Sequence, residues 1–175
     1  MSSKGICRLP SSIITDDELT SAVQIAKVTS SPSKAVKLYE ETHSAPAFVM
    51  ICIDYRFFQD VVDSVEYEYG GKFDLFSVAG SELFVVRDGR PAFEKSFFQN
   101  LDLAIQLHHI TTILCFTHAD CGAYVSVYGD LPPVEEIKIH RKNVLKLKEV
   151  INFRYPSLEF RGYYLRINDT FVRLV

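Results

Sequence analysis

The run Phe48-Val49-Met50-Ile51-Cys52-Ile53 contains no charged or hydroxylic side chain, and Ile110-Thr111-Thr112-Ile113-Leu114-Cys115-Phe116 is uncharged and apolar but for its two threonines. Runs this short, rich in β-branched residues and without polar alternation, read as strands buried on both faces, as in a parallel sheet. Phe73 to Val78 is a further strand candidate, closed by Ala79-Gly80. Helical stretches separate these strands. One covers Phe57 to Tyr69 and ends at Gly70-Gly71. Another covers Phe93 to His109, with Phe97, Leu101, Ala104, Ile105 and His108 near one face. A short helix opens at Ala123 and runs to Tyr128. A long one runs from Val134 to Phe153, with Ile137, Val144, Leu147 and Ile151 inward and a basic face outward; Tyr155-Pro156 ends it. Leu83 to Val86 reads as a short strand or the lead into a turn, and Arg87 to Pro91 as a loop. Leu158 to Ile167 is β-prone and pairs with Phe171 to Val175. Ahead of all this, Thr15 to Glu18 is a capping box opening a helix over 16–27, and a second helix follows over 33–42. The expectation is an α/β fold: a mainly parallel central sheet of about four to five strands flanked by helices, with an N-terminal helical arm at 1–45 and the core at 46–175.

In such a sheet, ligands gather beyond the carboxyl ends of the strands. Two motifs begin at those ends: Cys52-Ile53-Asp54-Tyr55-Arg56 and, 66 residues after Cys52, His118-Ala119-Asp120-Cys121-Gly122. Topology therefore delivers two distant segments to one place. Cys52, His118 and Cys121 form a Cys₂His donor set with a spare position, which is how a catalytic zinc is held. Two thiolates balance Zn²⁺, and the imidazole adds a neutral nitrogen. Asp54 lies two residues from Cys52, so in an extended segment the side chains share a side. It is placed to accept a hydrogen bond from water on the metal, and Arg56 can hold it ionised by a fork-like pair. A closed structural zinc needs the same three ligands plus one carboxylate, so the residues alone leave catalysis and structure both open.

Other features bound the partners. A net charge of −3 argues against nucleic acid or an anionic membrane. No apolar stretch reaches the ~20 residues of a bilayer span, and Met1 to Ser12 carries no signal-peptide apolar segment. The four cysteines then read as belonging to a reducing, cytoplasmic setting, with Cys7 and Cys115 inert. Asp120 reads as capping a helix or pointing to solvent, and Gly122 as permitting a tight strand-to-helix turn. His108 and His109 read as structural at a helix end, with His109 also open to a proton-relay role. Tyr124 and Phe76 read as core or pocket wall.

Cys-x-Asp-x-Arg followed by His-x-x-Cys-Gly after a buried strand resembles the β-class carbonic anhydrases. The similarity extends over Ala47 to Ile167, including Phe73-Asp74-Leu75-Phe76 before Ala79-Gly80 and the closing Tyr155-Pro156, then Gly162-Tyr163-Tyr164. The resemblance implies one Zn²⁺ per chain on Cys52, His118 and Cys121, with Asp54 and Arg56 as a gating pair. In that family the aspartate either pairs with the arginine or swings in as fourth ligand. It also implies reversible hydration of CO₂ to bicarbonate by a zinc-bound hydroxide, and a homodimer or higher homo-oligomer with its cleft at the subunit contact. Where the family commonly has Arg-Asn-Ala-Gly-Asn after the second strand, this chain has Ser77-Val78-Ala79-Gly80-Ser81. That departure keeps other readings open: a zinc-stabilised non-catalytic homologue, or a hydrolase of carbonyl sulfide or carbon disulfide; Cys52 beside Arg56 separately allows a metal-free thiol enzyme.

Overall fold

The computed structural model describes residues 44–87, 90–166 and 171–175. The helices expected over 16–27 and 33–42, and Cys7, lie outside the described residues. Ten elements follow: β1 Ala47–Ile51, α1 Tyr55–Tyr69, β2 Phe73–Ser77, α2 Leu83–Val86, α3 Pro91–His108, β3 Thr112–His118, α4 Gly122–Tyr128, α5 Pro133–Arg154, β4 Glu159–Leu165 and β5 Phe171–Arg173. The strands form one sheet in the order β2-β1-β3-β4-β5. The first four are parallel, and β5 closes the edge antiparallel to β4. This is the expected α/β architecture, at the upper strand number.

The unbroken apolar runs have a direct cause. Every residue of β1 and of β3 is buried. Successive strand residues point to opposite faces, and both faces are covered. Phe48 and Met50 pack with Phe97 and Leu101 of α3 and with Val144 and Leu147 of α5. Ala47, Val49 and Ile51 pack with Phe57, Val61 and Val65 of α1. Residues of β1 therefore gain nothing from alternation.

Leu83 to Val86 departs from expectation: it is one helical turn, wholly buried. Its residues are β-prone, but the chain has just reversed through Gly80 and Ser81, both in the left-handed region. The amides of Val85 and Val86 then bond back to the Glu82 carbonyl, so packing overrides propensity. The strand holding His118 also sits two residues later than expected, and His118 is its last member. No helix among the described residues is long and apolar enough to cross a membrane.

Candidate metal centre

Cys52 leaves the carboxyl end of β1, His118 ends β3, and Cys121 caps the N-terminus of α4. One donor atom from each lies within 4.8 Å of the others. The two sulfurs are 3.9 Å apart. Gly80 donates its N–H to the Cys52 sulfur at 3.3 Å. A side chain there is excluded twice over: φ is +73°, and a Cβ would stand 3.0 Å from that of Ala123 in α4. His118 stacks on Phe57, with ring centroids 4.3 Å apart. Its Nδ1 lies 2.8 Å from the Ala119 carbonyl, to which it donates. That fixes the tautomer and leaves Nε2 with a lone pair. Nε2 is buried and has no hydrogen-bond partner. An orphaned imidazole nitrogen facing two thiols fits a soft divalent cation with one position to spare.

The electrostatics point the same way. The Cys121 thiol donates to Cys52, and this is the chief cause that brings Cys52 down to about 4; His118 and the Gly80 N–H add to it, against burial. Cys121, as donor and buried, is pushed up. Burial opposes charge on His118, but the neighbouring Cys52 sulfur and the Ala119 carbonyl outweigh that and raise it. The three groups thus share protons that a cation can displace.

Asp54 and Arg56 form the outward side. Asp54 is the N-cap of α1 in extended backbone and accepts from the Arg56 N–H at 3.0 Å. Arg56 also grips both carboxylate oxygens, from Nε at 3.0 Å and Nη2 at 2.7 Å. That fork is the main reason Asp54 sits low, at about 2. A cleft of about 550 Å³ opens here, lined by Cys52, Asp54, Arg56, Ala79, Gly122 and Ala123 together with exposed Ile53 and Tyr55.

The inward side was not foreseen. Glu82 is fully buried. It accepts from the Tyr124 hydroxyl and, at 3.9 Å, from the Cys115 thiol. Burial raises it to about 7, against the lowering effect of the Tyr124 bond. Asn143 donates to the Tyr124 oxygen at 3.0 Å. His140 stacks on Tyr124 at 3.6 Å and bonds Thr117 through Nδ1. Burial holds it neutral, down to about 3. Glu136 accepts from the Asp120 N–H at 2.8 Å and from the Tyr164 hydroxyl at 3.0 Å. The available signal was spacing: Glu136, His140 and Asn143 fall at i, i+4 and i+7, a polar stripe beside the apolar face of α5.

Of the other residues, Cys115, His108, Tyr124 and Phe76 are placed as the sequence suggested, and the Asp120–Gly122 turn departs in part. Asp120 does not cap α4. Its carboxylate and carbonyl both bind Arg56, at 2.9 and 3.0 Å. Strain in the strand-to-helix turn falls on Asp120, at φ +53°, and Gly122 has ordinary backbone. Cys115 is buried inside β3, raised by burial and bonded to Glu82. His108 pairs with Asp74 at 2.7 Å, a structural contact. Tyr124 and Phe76 are both buried, Phe76 in the main core.

Residues 41–174 match the family whose description is "Putative carbonic anhydrase". Uncharacterised proteins of Rickettsia conorii and Rickettsia bellii are each 25% identical over 122 residues, 67% of this chain; the match spans 65% of the first and 74% of the second. Among solved structures, a tetrameric β-carbonic anhydrase of the ascomycete Sordaria macrospora is 14% identical with a TM-score of 0.60, over 89% of this chain and 93% of that one. The carbonic anhydrase of Streptococcus mutans is 9% identical with a TM-score of 0.53, over 94% and 100%. A carbon disulfide hydrolase is 14% identical with a TM-score of 0.50, over 90% of each chain. At these identities the structural likenesses establish the fold.

Proposed function

The chain belongs to this carbonic anhydrase family as a divergent β-class member, and from that premise we propose that it binds one Zn²⁺ through Cys52, His118 and Cys121 and reversibly hydrates CO₂ to bicarbonate. The observation that carries the reading is the convergence of three soft donors, one an orphaned buried nitrogen, beside a cleft bordered by a clamped carboxylate. Bound zinc would supply a Lewis acid that lowers the pKa of a water in the open position.

The chain's own residues then have separate tasks. Cys52 and Cys121 contribute the compensating charge. Asp54, kept ionised by Arg56, can accept a proton-bearing hydrogen bond but cannot donate one. It therefore favours a water-derived nucleophile over ligands that only accept, and orients it. Ala79, Ala123 and Gly122 give the cleft a small, largely apolar wall suited to a linear, unhydrated substrate. Residues 46–175 would carry this chemistry. Ile53 and Tyr55, exposed at the cleft, support association of chains into a homo-oligomer. Stopped-flow CO₂ hydration on zinc-loaded protein tests the proposal. A rate equal to the uncatalysed one, with zinc content confirmed, overturns it.

The likeness to a carbon disulfide hydrolase supports a second reading in which the same centre acts on a related heterocumulene. Sulfide release from carbon disulfide or carbonyl sulfide, exceeding CO₂ hydration, would select it.

A further inference from the structure

We infer that Glu136 of α5 is a positioning residue of the metal centre, holding the turn between His118 and Cys121 in the shape that aims both donors at one cation. This rests on reading Cys52, His118 and Cys121 as zinc ligands. Two residues separate His118 from Cys121, and the second, Asp120, has φ +53°. Most side-chain-bearing residues avoid that region because Cβ crowds the following carbonyl, and aspartate enters it more readily than most but still at a cost. Such a conformation persists only where its surroundings hold it.

The turn is held from two sides. Arg56 takes the Asp120 carbonyl and carboxylate. Glu136 takes the N–H at 2.8 Å, from an element 16 residues further along the chain. The second oxygen of Glu136 accepts from Tyr164, so the carboxylate is itself fixed. His140 and Asn143 continue the same face of α5, onto Thr117 and onto Tyr124. One helix therefore grips the residue before His118, the residue before Cys121 and the residue three beyond it. Hydrogen bonds outside the donors orient them, and losing one costs about 10–100-fold in metal affinity.

The test measures Zn²⁺ affinity of the full chain by competition with a chromophoric chelator, with far-ultraviolet circular dichroism as the folding control. Glu136→Ala is expected to weaken binding about 10–100-fold without loss of secondary structure. Glu136→Gln, whose side-chain oxygen still accepts the Asp120 N–H, is expected to retain most of the affinity. Adding Asp120→Gly to Glu136→Ala is expected to restore binding, since glycine adopts the left-handed turn without a tether. Affinity of Glu136→Ala equal to wild type, or a double variant no tighter than Glu136→Ala, overturns the inference. Should Glu136→Ala not fold, Tyr164→Phe removes only the bond that orients Glu136: a smaller loss supports the inference, and unchanged affinity overturns it. A folded wild-type chain that takes up no Zn²⁺ overturns the metal reading as well, and that result is distinct from a variant indistinguishable from a metal-binding wild type.

Discussion

The outward and inward sides of the centre are built from opposite kinds of contact. Outward, Asp54 and Arg56 sit two residues apart, partly exposed, and are bonded chiefly to each other. Inward, Glu82, Tyr124, His140, Asn143 and Glu136 come from three separate helices or their leading turns, and their side-chain hydrogen bonds span 15 to 42 residues of sequence. The outward pair meets solvent, where an ion pair adds little to stability and its value is in directing chemistry. Glu82, Tyr124 and His140 are withdrawn from water and Glu136 is partly so, and there the loss of a hydrogen-bond partner is expensive. Changes on one side should therefore register in turnover, and changes on the other in affinity and stability.

The centre itself gives the largest expected effect. Cys121→Ala should lower Zn²⁺ affinity at least about 1,000-fold, because one of three protein donors to a strongly bound cation is gone. Chelator competition checks this, and a loss under about tenfold would remove Cys121 from the donor set.

Next comes the buried carboxyl. Glu82 is raised from 4.5 to about 7 by burial. A raised folded-state pKa contributes stability that is complete below about 4.5 and is lost as pH climbs through about 7. Metal-free wild type should thus lose about 3 kcal/mol across that window relative to Glu82→Gln. Urea unfolding of both proteins from pH 4.5 to 8 provides the comparison, and parallel curves would break the assignment of an inward acid raised by burial.

On the outward side, Asp54→Asn should leave zinc content unchanged and cut kcat for CO₂ hydration about 100-fold, as loss of a proton-accepting group does. Stopped-flow rates decide it; undiminished kcat would take Asp54 out of the reaction. The smallest effect concerns the scaffold alone. A Cβ at Gly162 in β4 would stand 2.3 Å from Val144 Cγ1 of α5. Gly162→Ala should cost about 2 kcal/mol through overpacking. A thermal melt measures it, and an unshifted midpoint would mean that α5 yields more freely than its inward contacts imply.

What could be read from the chain divides along the same line. The donors and the Asp54–Arg56 pair were visible because each lies in a short motif at a strand end, and parallel topology brings strand ends together. The apolar runs announced β1 and β3 for the same local reason. Glu82 stayed hidden because nothing in the sequence near Leu83 to Val86 indicates that an acid beside an apolar run turns inward. Asp120 does point to solvent, one of its two readings, but its contacts stayed hidden because its partners, Arg56 and Glu136, lie 64 and 16 residues away. Glu136, His140 and Asn143 offered a polar stripe, but the apolar face of Ile137, Val144, Leu147 and Ile151 dominated the reading of that helix. Local chemistry is written in spacing, and support from distant elements is not.

His118 is bound into the ladder opposite Leu165, and the next amide, Ala119, also bonds the Leu165 carbonyl. Cys52 has just left the ladder, beyond the last paired residue of β1. The two donors therefore differ in how readily their backbone opens: amides in a core strand exchange with deuterium only when much of the domain comes apart, whereas a segment outside the ladder opens by itself. With Zn²⁺ bound as proposed, extraction by a chelator should begin with the Cys52 sulfur letting go and finish at the imidazole, so that the rate of demetallation follows breathing of the 52–54 segment and not the global unfolding rate.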